Sequence, residues 1–323
     1  MIDVSINPEN MEGVYLECLN TCFADWGGME MYRWCFDRRL GGRKPDIMLL
    51  EKGGTILGGS AVTYRHAVIN GKIAVIAIMT GSWTLPEARN QGCFATMIDR
   101  SLLLARDAGA ALLIAFVTQT NPSMKRLVSK GSAVFPTHYL VAGQAEVPPG
   151  PWVPLTAVAD IGECSLDIPG FLASGRAGHP HFTYSAEEWR SQFVERPEAM
   201  EFLCIDGACV GIVEKKGPFD RLLSFRGHQG HSREDILRAC YVRSLKNERR
   251  LFFFTASSSL KDYAVKLGFE HIPGFLTTLI ANKAALRRAF PGSTGGSPAS
   301  ADIYDPGSPW YIGEWDLATG DRM

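Results

Sequence analysis

Long apolar runs are missing from this sequence. The longest apolar stretch, SLLLARDAGAALLIAFV from Ser101 to Val117, is interrupted by Arg106 and Asp107 and is too short and too charged to span a bilayer. An excess of either charge is missing too: Lys and Arg number 33, Asp and Glu 34, and the formal net charge is −1 with the signs interspersed. Neither a nucleic-acid footprint nor a polybasic membrane patch is written into such a chain, so no nucleic-acid and no membrane partner is expected. No C-x-x-C pair occurs among the eight cysteines (Cys18, Cys22, Cys35, Cys93, Cys164, Cys204, Cys209, Cys240), and no signal-peptide pattern stands ahead of them. They read as reduced, mostly buried thiols of a cytoplasmic protein. His179 and His181 form a His-x-His, but no carboxylate or cysteine stands at ligand spacing from them, so no metal site is expected.

What is present is enough apolar material, 46% of 323 residues, for about two globular domains. NPENMEGVYLECLNTCF opens with a helix-start signal and spaces Val14, Leu16, Cys18, Leu19, Cys22 and Phe23 like a helix packed on one side. Three strands follow, turned at Lys52-Gly53-Gly54 and at Asn70-Gly71. A glycine turn around Gly92 leads into a helix predicted from about Phe94 to Asp107. Then come the strand AALLIAFV, a short helix begun by Asn121-Pro122 and stopped by Gly131, and the strand AVFPTHYLVAG. VPPGPWVP, residues 147–154, breaks the chain.

The second half reads as a shortened copy of the first. Gly54 and Gly58 are echoed at the same separation by Gly207 and Gly211, and Phe116, Gly131 and Pro136 fall without a gap on Phe253, Gly268 and Pro273. This spacing predicts a tandem duplication. The boundaries expected are a first domain at 1–146, a linker and start of the second half at 147–199, and a second domain with a C-terminal tail at 200–323.

A glycine turn from a strand into a helix leaves several backbone N–H groups converging on one spot, backed by the positive end of the helix dipole, and such a spot binds phosphate. In RNQGCFA the amides of Gln91, Gly92, Cys93, Phe94 and Ala95 would line it, with Arg89 nearby as a cation. An ordinary glycine-containing loop is the plain alternative. Element order and motif together resemble the GNAT superfamily of acyl-CoA-dependent N-acyltransferases, whose signature Arg/Gln-x-x-Gly-x-Gly/Ala is occupied here by Arg89, Asn90, Gln91, Gly92, Cys93 and Phe94. The resemblance covers about residues 45–142 and, through the repeat, residues 200–283 more weakly.

That resemblance implies an α/β fold of tandem GNAT-like domains, each a mixed, mostly antiparallel central sheet flanked by helices. It implies that the amides of the loop hold the pyrophosphate of acetyl-CoA or another acyl-CoA as co-substrate. The end of the preceding strand, Ser82, Trp83 and Thr84, would pair with the pantetheine arm, and Asn121 would border it. Two departures stand out: Phe94 replaces the usual Gly or Ala, and Leu127 stands where many members place a Tyr general acid, with Ala264 (next to Tyr263) at the repeated position. Gly230 in FRGHQGHSREDI lies near the place of Gly92 but without the upstream Arg, so one cofactor site is expected, in the first half.

Acyl transfer to an amine needs a base for the ammonium proton and donors for the thioester carbonyl. The candidates are Ser82 (with Thr80 beside it), Glu87 and, if the aromatic tail bearing Trp310 and Trp315 docks back, Asp316 or the terminal carboxylate. Plain strand hydroxyls, a surface glutamate and docking for stability alone are the competing readings. Trp26, Tyr32, Trp34 and Phe36 occupy a segment that the resemblance makes a substrate-facing lid, and their spacing also suits core packing. Arg38, Arg39, Arg43 and Lys44 suit an anion or a solvated face. His228 and His231, flanking Gly230, read as a solvated turn. The functional expectation is direct transfer of an acetyl or other short acyl group to a small-molecule amine. Chemistry on a thioester borne by an acyl carrier protein, acyl transfer or decarboxylation, stays open, as does a non-catalytic CoA-binding scaffold. An aminoacyl-tRNA-dependent transferase is disfavoured by the near-neutral charge.

Overall fold

A computed structural model describes residues 2–143, 153–173, 178–291 and 296–322. Most of the proline-rich break and the terminal carboxylate considered above lie outside the described residues. The chain forms two compact units, one from Met1–Phe135 with Leu276–Gly313, the other from Pro136–Phe275 with Glu314–Met323.

In chain order the first unit contains β1 (Asp3–Ile6), α1 (Glu12–Phe23), α2 (Met29–Phe36), β2 (Asp46–Lys52), β3 (Thr55–Ile69), β4 (Lys72–Thr84), α3 (Cys93–Asp107), β5 (Leu112–Thr118) and α4 (Ser123–Ser129). Next come β6 (Ala133–Ala142), most of it in the second unit, β7 (Thr156–Val158), α5 (Ile168–Ala173), β8 (His181–Thr183), α6 (Ala186–Phe193), β9 (Ala199–Ile205), β10 (Ala208–Lys216) and β11 (Phe219–Phe225). The second unit goes on with α7 (Arg233–Lys246), β12 (Arg250–Thr255), α8 (Ser258–Lys266) and the first part of β13 (Phe269–Ile280), after which α9 (Lys283–Arg288) belongs to the first unit. The three predicted strands, the glycine turn and the helix after it stand where the spacing puts them. Nothing in the sequence announces β1, whose four residues, DVSI, are too few to show a period.

The first unit's sheet runs β1-β2-β3-β4-β5-β13, antiparallel through β4 and parallel from β4 to β5. Its helical layer is built on aromatics. Tyr15 of α1 meets Tyr32, Phe36 and Trp83 edge-on at 6.1, 5.8 and 5.3 Å between ring centres, and Trp26 stacks on Phe36. These rings, with Trp34 over which Arg38 lies, form core rather than an exposed lid. Arg43 pairs with Asp46 and Lys44 with Asp37, so those two cations of the RRLGGRK run are spent within the chain.

The second unit's sheet runs β13-β6-β12-β11-β10-β9-β7. Ile236, Leu237, Cys240 and Tyr241 of α7 join Leu203, Val213, Leu251 and Phe253 in one buried cluster. Below them Arg196 and Glu214, both fully buried, meet at 2.7 Å, and Arg221 reaches the other oxygen of Glu214.

The repeat is structural as well as sequential. Gly54 and Gly207 are the second left-handed residues of equivalent hairpin turns, at φ +79° and +78°, after Gly53 and Asp206. Gly58 and Gly211 both sit at register shifts of the strands they belong to. Gly131 and Gly268 end α4 and α8 in the left-handed region. The last strand of each repeat is exchanged: β6 pairs with β12, while Thr277 of β13 donates to the Ala115 carbonyl of β5 and Ala281 N–H to that of Ala111.

Candidate active site

The first unit's candidate site begins where β4 and β5 part. Their parallel register holds only for Ile76, Ala77 and Ile78 against Leu112, Leu113 and Ile114, although β4 continues to Thr84 and β5 to Thr118. Beyond Ile78 the two strands run on without pairing, which leaves backbone hydrogen-bonding groups of Met79–Thr84 lining a gap. The other edge of β4 slips at the same place: Gly59 faces Trp83, Ala61 faces Thr80, and Gly81 and Ser82 oppose Ser60 alone, with Gly81 at φ +54°. This bulge turns the end of the strand.

Ser82 is half-buried, and its hydroxyl lies 2.7 Å from that of Ser60, so the Ser82 side chain is tied into the bulge. Trp83 is buried in the aromatic cluster and reaches the gap only through its backbone. The carbonyl of Thr84 accepts from the Cys22 thiol at 3.5 Å. After β4, Pro86–Ala88 make one 3-10 turn that exposes Glu87, whose carbonyl accepts from Gln91 Nε2 at 3.2 Å. Arg89 and Asn90 are exposed, Asn90 at φ +65°.

Gly92 then starts α3 from a left-handed conformation, φ +84° and ψ 2°. Space around it is open: a Cβ there would meet nothing within 4 Å. The first bond of the helix is Thr96 N–H to the Gly92 carbonyl at 3.1 Å, so the amides of Cys93, Phe94 and Ala95 have no acceptor within the helix. No side chain caps this end, and its first turn carries no acid. A fifteen-residue helix with such an N-terminus is a ready anion site. The residues thus fit a pyrophosphate. Phe94 is half-buried, while the buried Cys93 points its thiol back to the Ala88 carbonyl at 3.8 Å. Burial raises the Cys93 thiol's pKa, which disfavours the thiolate a covalent route would need. Asn121 is exposed, and its side-chain oxygen accepts from Ser123 N–H at 2.9 Å. Leu127 is buried at the foot of that helix and offers no acid.

The equivalent place in the second unit is built differently. His228 and His231 exchange backbone bonds of 3.0 and 2.9 Å around Gln229-Gly230, so Gly230 caps a tight turn and does not open a helix. The N-cap of α7 is Ser232. Its hydroxyl accepts from Asp235 N–H at 3.1 Å, and the Asp235 carboxylate accepts from Ser232 N–H at 2.8 Å. The bond from Ser232 N–H, and after it one from the Ser232 hydroxyl to the same carboxylate oxygen at 2.8 Å, hold Asp235 below the ordinary carboxylate pKa. The gap between β11 and β12, whose parallel register ends at Arg221 and Phe252, is also filled by the chain itself: Phe254 N–H donates to Thr319 Oγ1 at 2.8 Å, and Gly320 accepts from Gln192.

The C-terminal aromatics do dock. Trp310 packs on Phe290 in the first unit, and Trp315 packs against Phe182 in the second, both nearly fully buried. Asp316 is counted with the second unit; its backbone N–H bonds the Pro180 carbonyl, and its carboxylate faces Arg233. Sequence reasoning had no means of assigning it to one unit or the other. Ser232-x-x-Asp235 in GHSREDI is the capping-box pattern that marks this closed helix start in the sequence. His179 and His181 bond the carbonyls of Glu314 and His179.

Comparisons with known proteins bear on the class. Residues 5–124 match a family model described as an acetyltransferase (GNAT) domain. A probable N-acyltransferase from Enterococcus faecalis V583 superposes with a TM-score of 0.63 at 12% identity, over 99% of this chain and 85% of that one. A tandem GNAT protein from the clavulanic acid biosynthesis pathway gives 0.56 at 15% identity, over 87% and 99%. Saccharomyces cerevisiae N-myristoyltransferase with bound myristoyl-CoA gives 0.58 at 10%, over 87% and 82%. Among curated proteins none matches in sequence. The fold is that of GNAT proteins, a mixed α/β arrangement found in tandem form among the structural relatives. Residues 5–124 are the stretch that matches the GNAT acetyltransferase domain in sequence, and the likeness of the rest of the chain is one of fold. No helix among the described residues is long and apolar enough to cross a membrane.

Proposed function

We propose that the first unit is an acyltransferase that takes an acetyl or other short acyl group from acyl-CoA and passes it directly to the amine of a small molecule. The observation that carries this reading is the open N-terminus of α3: a left-handed Gly92, uncapped amides from Cys93 to Ala95 and no carboxylate in the first turn. In this reading the amides of Gln91–Ala95 bind the pyrophosphate and Arg89 adds a cation at the rim. The backbone of Ser82–Thr84, beyond the end of the β4–β5 register, receives the pantetheine arm, and Asn121 borders it. Acyl-CoA, when bound, supplies an activated thioester.

The chain's own contribution is orientation. Holding donor and amine together in one ternary complex replaces a bimolecular encounter with a local one, and the protonated Cys93 thiol favours this over a covalent enzyme intermediate. Ser82, already bonded to Ser60, is a relay or positioning group through that pair. Glu87, exposed beside the turn, is the carboxylate offered for the ammonium proton. Asp316 lies with the second unit and takes no part in this proposal. Leu127 leaves the departing thiolate to solvent.

Calorimetric titration with acetyl-CoA tests the reading. Saturable binding near one equivalent, lost in Gly92→Glu, supports it, and release of free CoA with a panel of amines then identifies the acceptor class. Absence of binding by the unaltered protein overturns it. Binding with turnover only on a carrier-protein thioester would replace the amine by that acceptor.

A further inference from the structure

Three cysteines gather in the second unit, away from every residue that acyl transfer in the first would use. β9 and β10 are joined by the two-residue turn Asp206-Gly207, both left-handed at φ +48° and +78°. One step back from that turn, Cys204 and Cys209 stand directly opposite each other. The Cys209 N–H points away from β9 and donates to the Ser165 carbonyl at 2.9 Å, which makes the opposed cysteines a non-hydrogen-bonded pair. Such pairs come closest in an antiparallel sheet, at about 4.5 Å between Cα atoms, and a disulfide spans roughly 4.4–6.8 Å. Strand alternation turns both side chains to the face opposite Leu203, Ile205 and Val210, which belong to the cluster packed with α7.

Cys164 completes the group. It follows the single 3-10 turn Ile161–Glu163, and the next residue, Ser165, donates its N–H to the Gly207 carbonyl at 2.8 Å, so backbone bonds pin this segment beside the hairpin. The Cys164 thiol interacts with the thiols of both Cys204 and Cys209. Cys204 and Cys209 are buried, Cys164 is only half-buried, and all three are free. Each sulfur lies against a main-chain carbonyl: Cys204 against Phe202 at 3.8 Å, Cys209 against Gly211 at 3.5 Å and Cys164 against Ile161 at 3.6 Å. Turning the side chains about their Cα–Cβ bonds brings the opposed pair together. Among the described residues no three His, Cys, Asp or Glu side chains are arranged to hold a metal ion, which leaves the chemistry of thiols with one another. Burial first, then contact with Cys164, raises the Cys204 thiol to about 12, and burial raises the Cys209 thiol as well, so neither is a ready nucleophile toward a diffusing oxidant.

We propose that Cys164, Cys204 and Cys209 form a redox relay, in which Cys164 is oxidised by a hydroperoxide and the buried cross-strand pair Cys204–Cys209 ends as a disulfide. In the first step the Cys164 sulfur attacks a peroxide oxygen and the O–O bond breaks; Cys164 becomes a sulfenic acid, and its proton leaves with the other oxygen as water when the oxidant is hydrogen peroxide. The Cys204 sulfur then displaces the sulfenic hydroxyl, which departs as a second water with the Cys204 proton, and a Cys164–Cys204 disulfide forms. Contact between the two groups replaces a bimolecular encounter and offsets the poor nucleophilicity of a buried thiol. Cys209 finally attacks the Cys204 sulfur and hands its proton to the departing Cys164, which is thereby restored. In sum, two thiols and one hydrogen peroxide give one disulfide and two waters. The relay belongs to the second unit and does not depend on the acyl-transfer reading of the first.

The experiment treats the reduced full chain with hydrogen peroxide, blocks the remaining thiols with iodoacetamide in denaturant, and maps the cysteine peptides by mass spectrometry over time. The expected product has an internal bridge and no alkyl group in the peptide bearing Cys204 and Cys209, an alkylated Cys164, and full reversal by dithiothreitol. Cys164→Ser should slow formation of that bridge by about tenfold or more, since the buried thiols then meet peroxide unaided. Cys209→Ala should stop the relay one step early and accumulate a Cys164–Cys204 bridge. Each of four results overturns the proposal: no bridge at Cys204 and Cys209 in the unaltered protein, a final bridge that stays on Cys164, an unchanged rate in a Cys164→Ser protein that shows the parent's thermal transition, or no Cys164–Cys204 bridge in a folded Cys209→Ala protein. Should Cys209→Ala fail to fold, the map of the unaltered protein and the Cys164→Ser rate decide.

Discussion

At α3 the chain enters its helix through Gly92 and brings no carboxylate; at α7 it enters through Ser232 and brings Asp235 with it. Beyond α3 the strands β4 and β5 part and leave backbone of β4 facing a gap. Beyond α7 the strands β11 and β12 part in the same way, but Thr319 fills the opening. Two copies of one supersecondary unit have thus reached opposite ends of a single choice. A helix N-terminus can satisfy its orphan donors with its own side chain, which stabilises the fold, or leave them for a ligand, which costs stability until the ligand arrives. The first unit shows the second solution and the second unit the first. Loss of a signature residue is a weaker diagnosis of a closed site than the presence of the group that has taken the ligand's place.

The comparison can be broken most forcefully in the second unit's interior. Arg196→Ala leaves Glu214 buried without its closest cation, and chemical denaturation should show a loss of about 3–5 kcal/mol. Acetyl-CoA titration of whatever fraction stays folded should be unaltered. Next in size is Gly92→Glu, which forces a side chain into φ +84° and sets a carboxylate among the amides. Losing two or more charge-assisted hydrogen bonds corresponds to about a hundredfold or more in acetyl-CoA affinity, and the circular dichroism spectrum should be unchanged.

Ser232→Ala is the converse. It should cost about 1 kcal/mol of stability, read from the denaturant midpoint, and leave acetyl-CoA affinity alone. If it weakened acetyl-CoA binding, the assignment of the cofactor to α3 would be wrong. The cap also carries a pH signature. Asp235 is depressed below its ordinary value of 3.8, so its stabilisation is fully present above that pH and is lost as pH falls through the folded-state value. Asp235→Asn should therefore be less stable than the parent at pH 7, and the gap between them should narrow as the midpoints are followed toward pH 3. The smallest effect belongs to Lys130→Ala, which removes the ion pair with Asp99 near the surface of the first unit; a change of no more than about 1 kcal/mol is expected.

Much of the first unit was legible because its signals are local. Asn70-Gly71 fixes a hairpin, Gly92 a helix entry, Gly109 and Gly131 helix ends, and each acts within a few residues. The duplication was legible for the same reason, since its anchors are turn and bulge glycines whose backbone demands survive divergence. What stayed hidden depends on distant parts of the chain. The spacing of Trp26, Tyr32, Trp34 and Phe36 suits a lid and a core alike, and only contact with Tyr15 and Trp83 decides between them. Asp316 is a bare carboxylate in sequence and acquires its neighbours through pairing with Pro180. The capping box at Ser232 is a local signal too, but it is overshadowed by Gly230 two residues upstream, whose left-handed turn imitates a helix entry.

The exchange of last strands sets an order of events at the ribosome. The edge of β5, LLIAFVT, is covered by β13 residues from Leu276 onward, which are made only after nearly all of the second unit's chain has emerged. Until then a seven-residue apolar strand with no Pro and no charge waits with one edge open, the kind of segment that recruits other chains. The first unit can collapse early but cannot complete its sheet early. A chain cut anywhere between Thr118 and Leu276 keeps every residue of the α3 turn and exposes that edge for good.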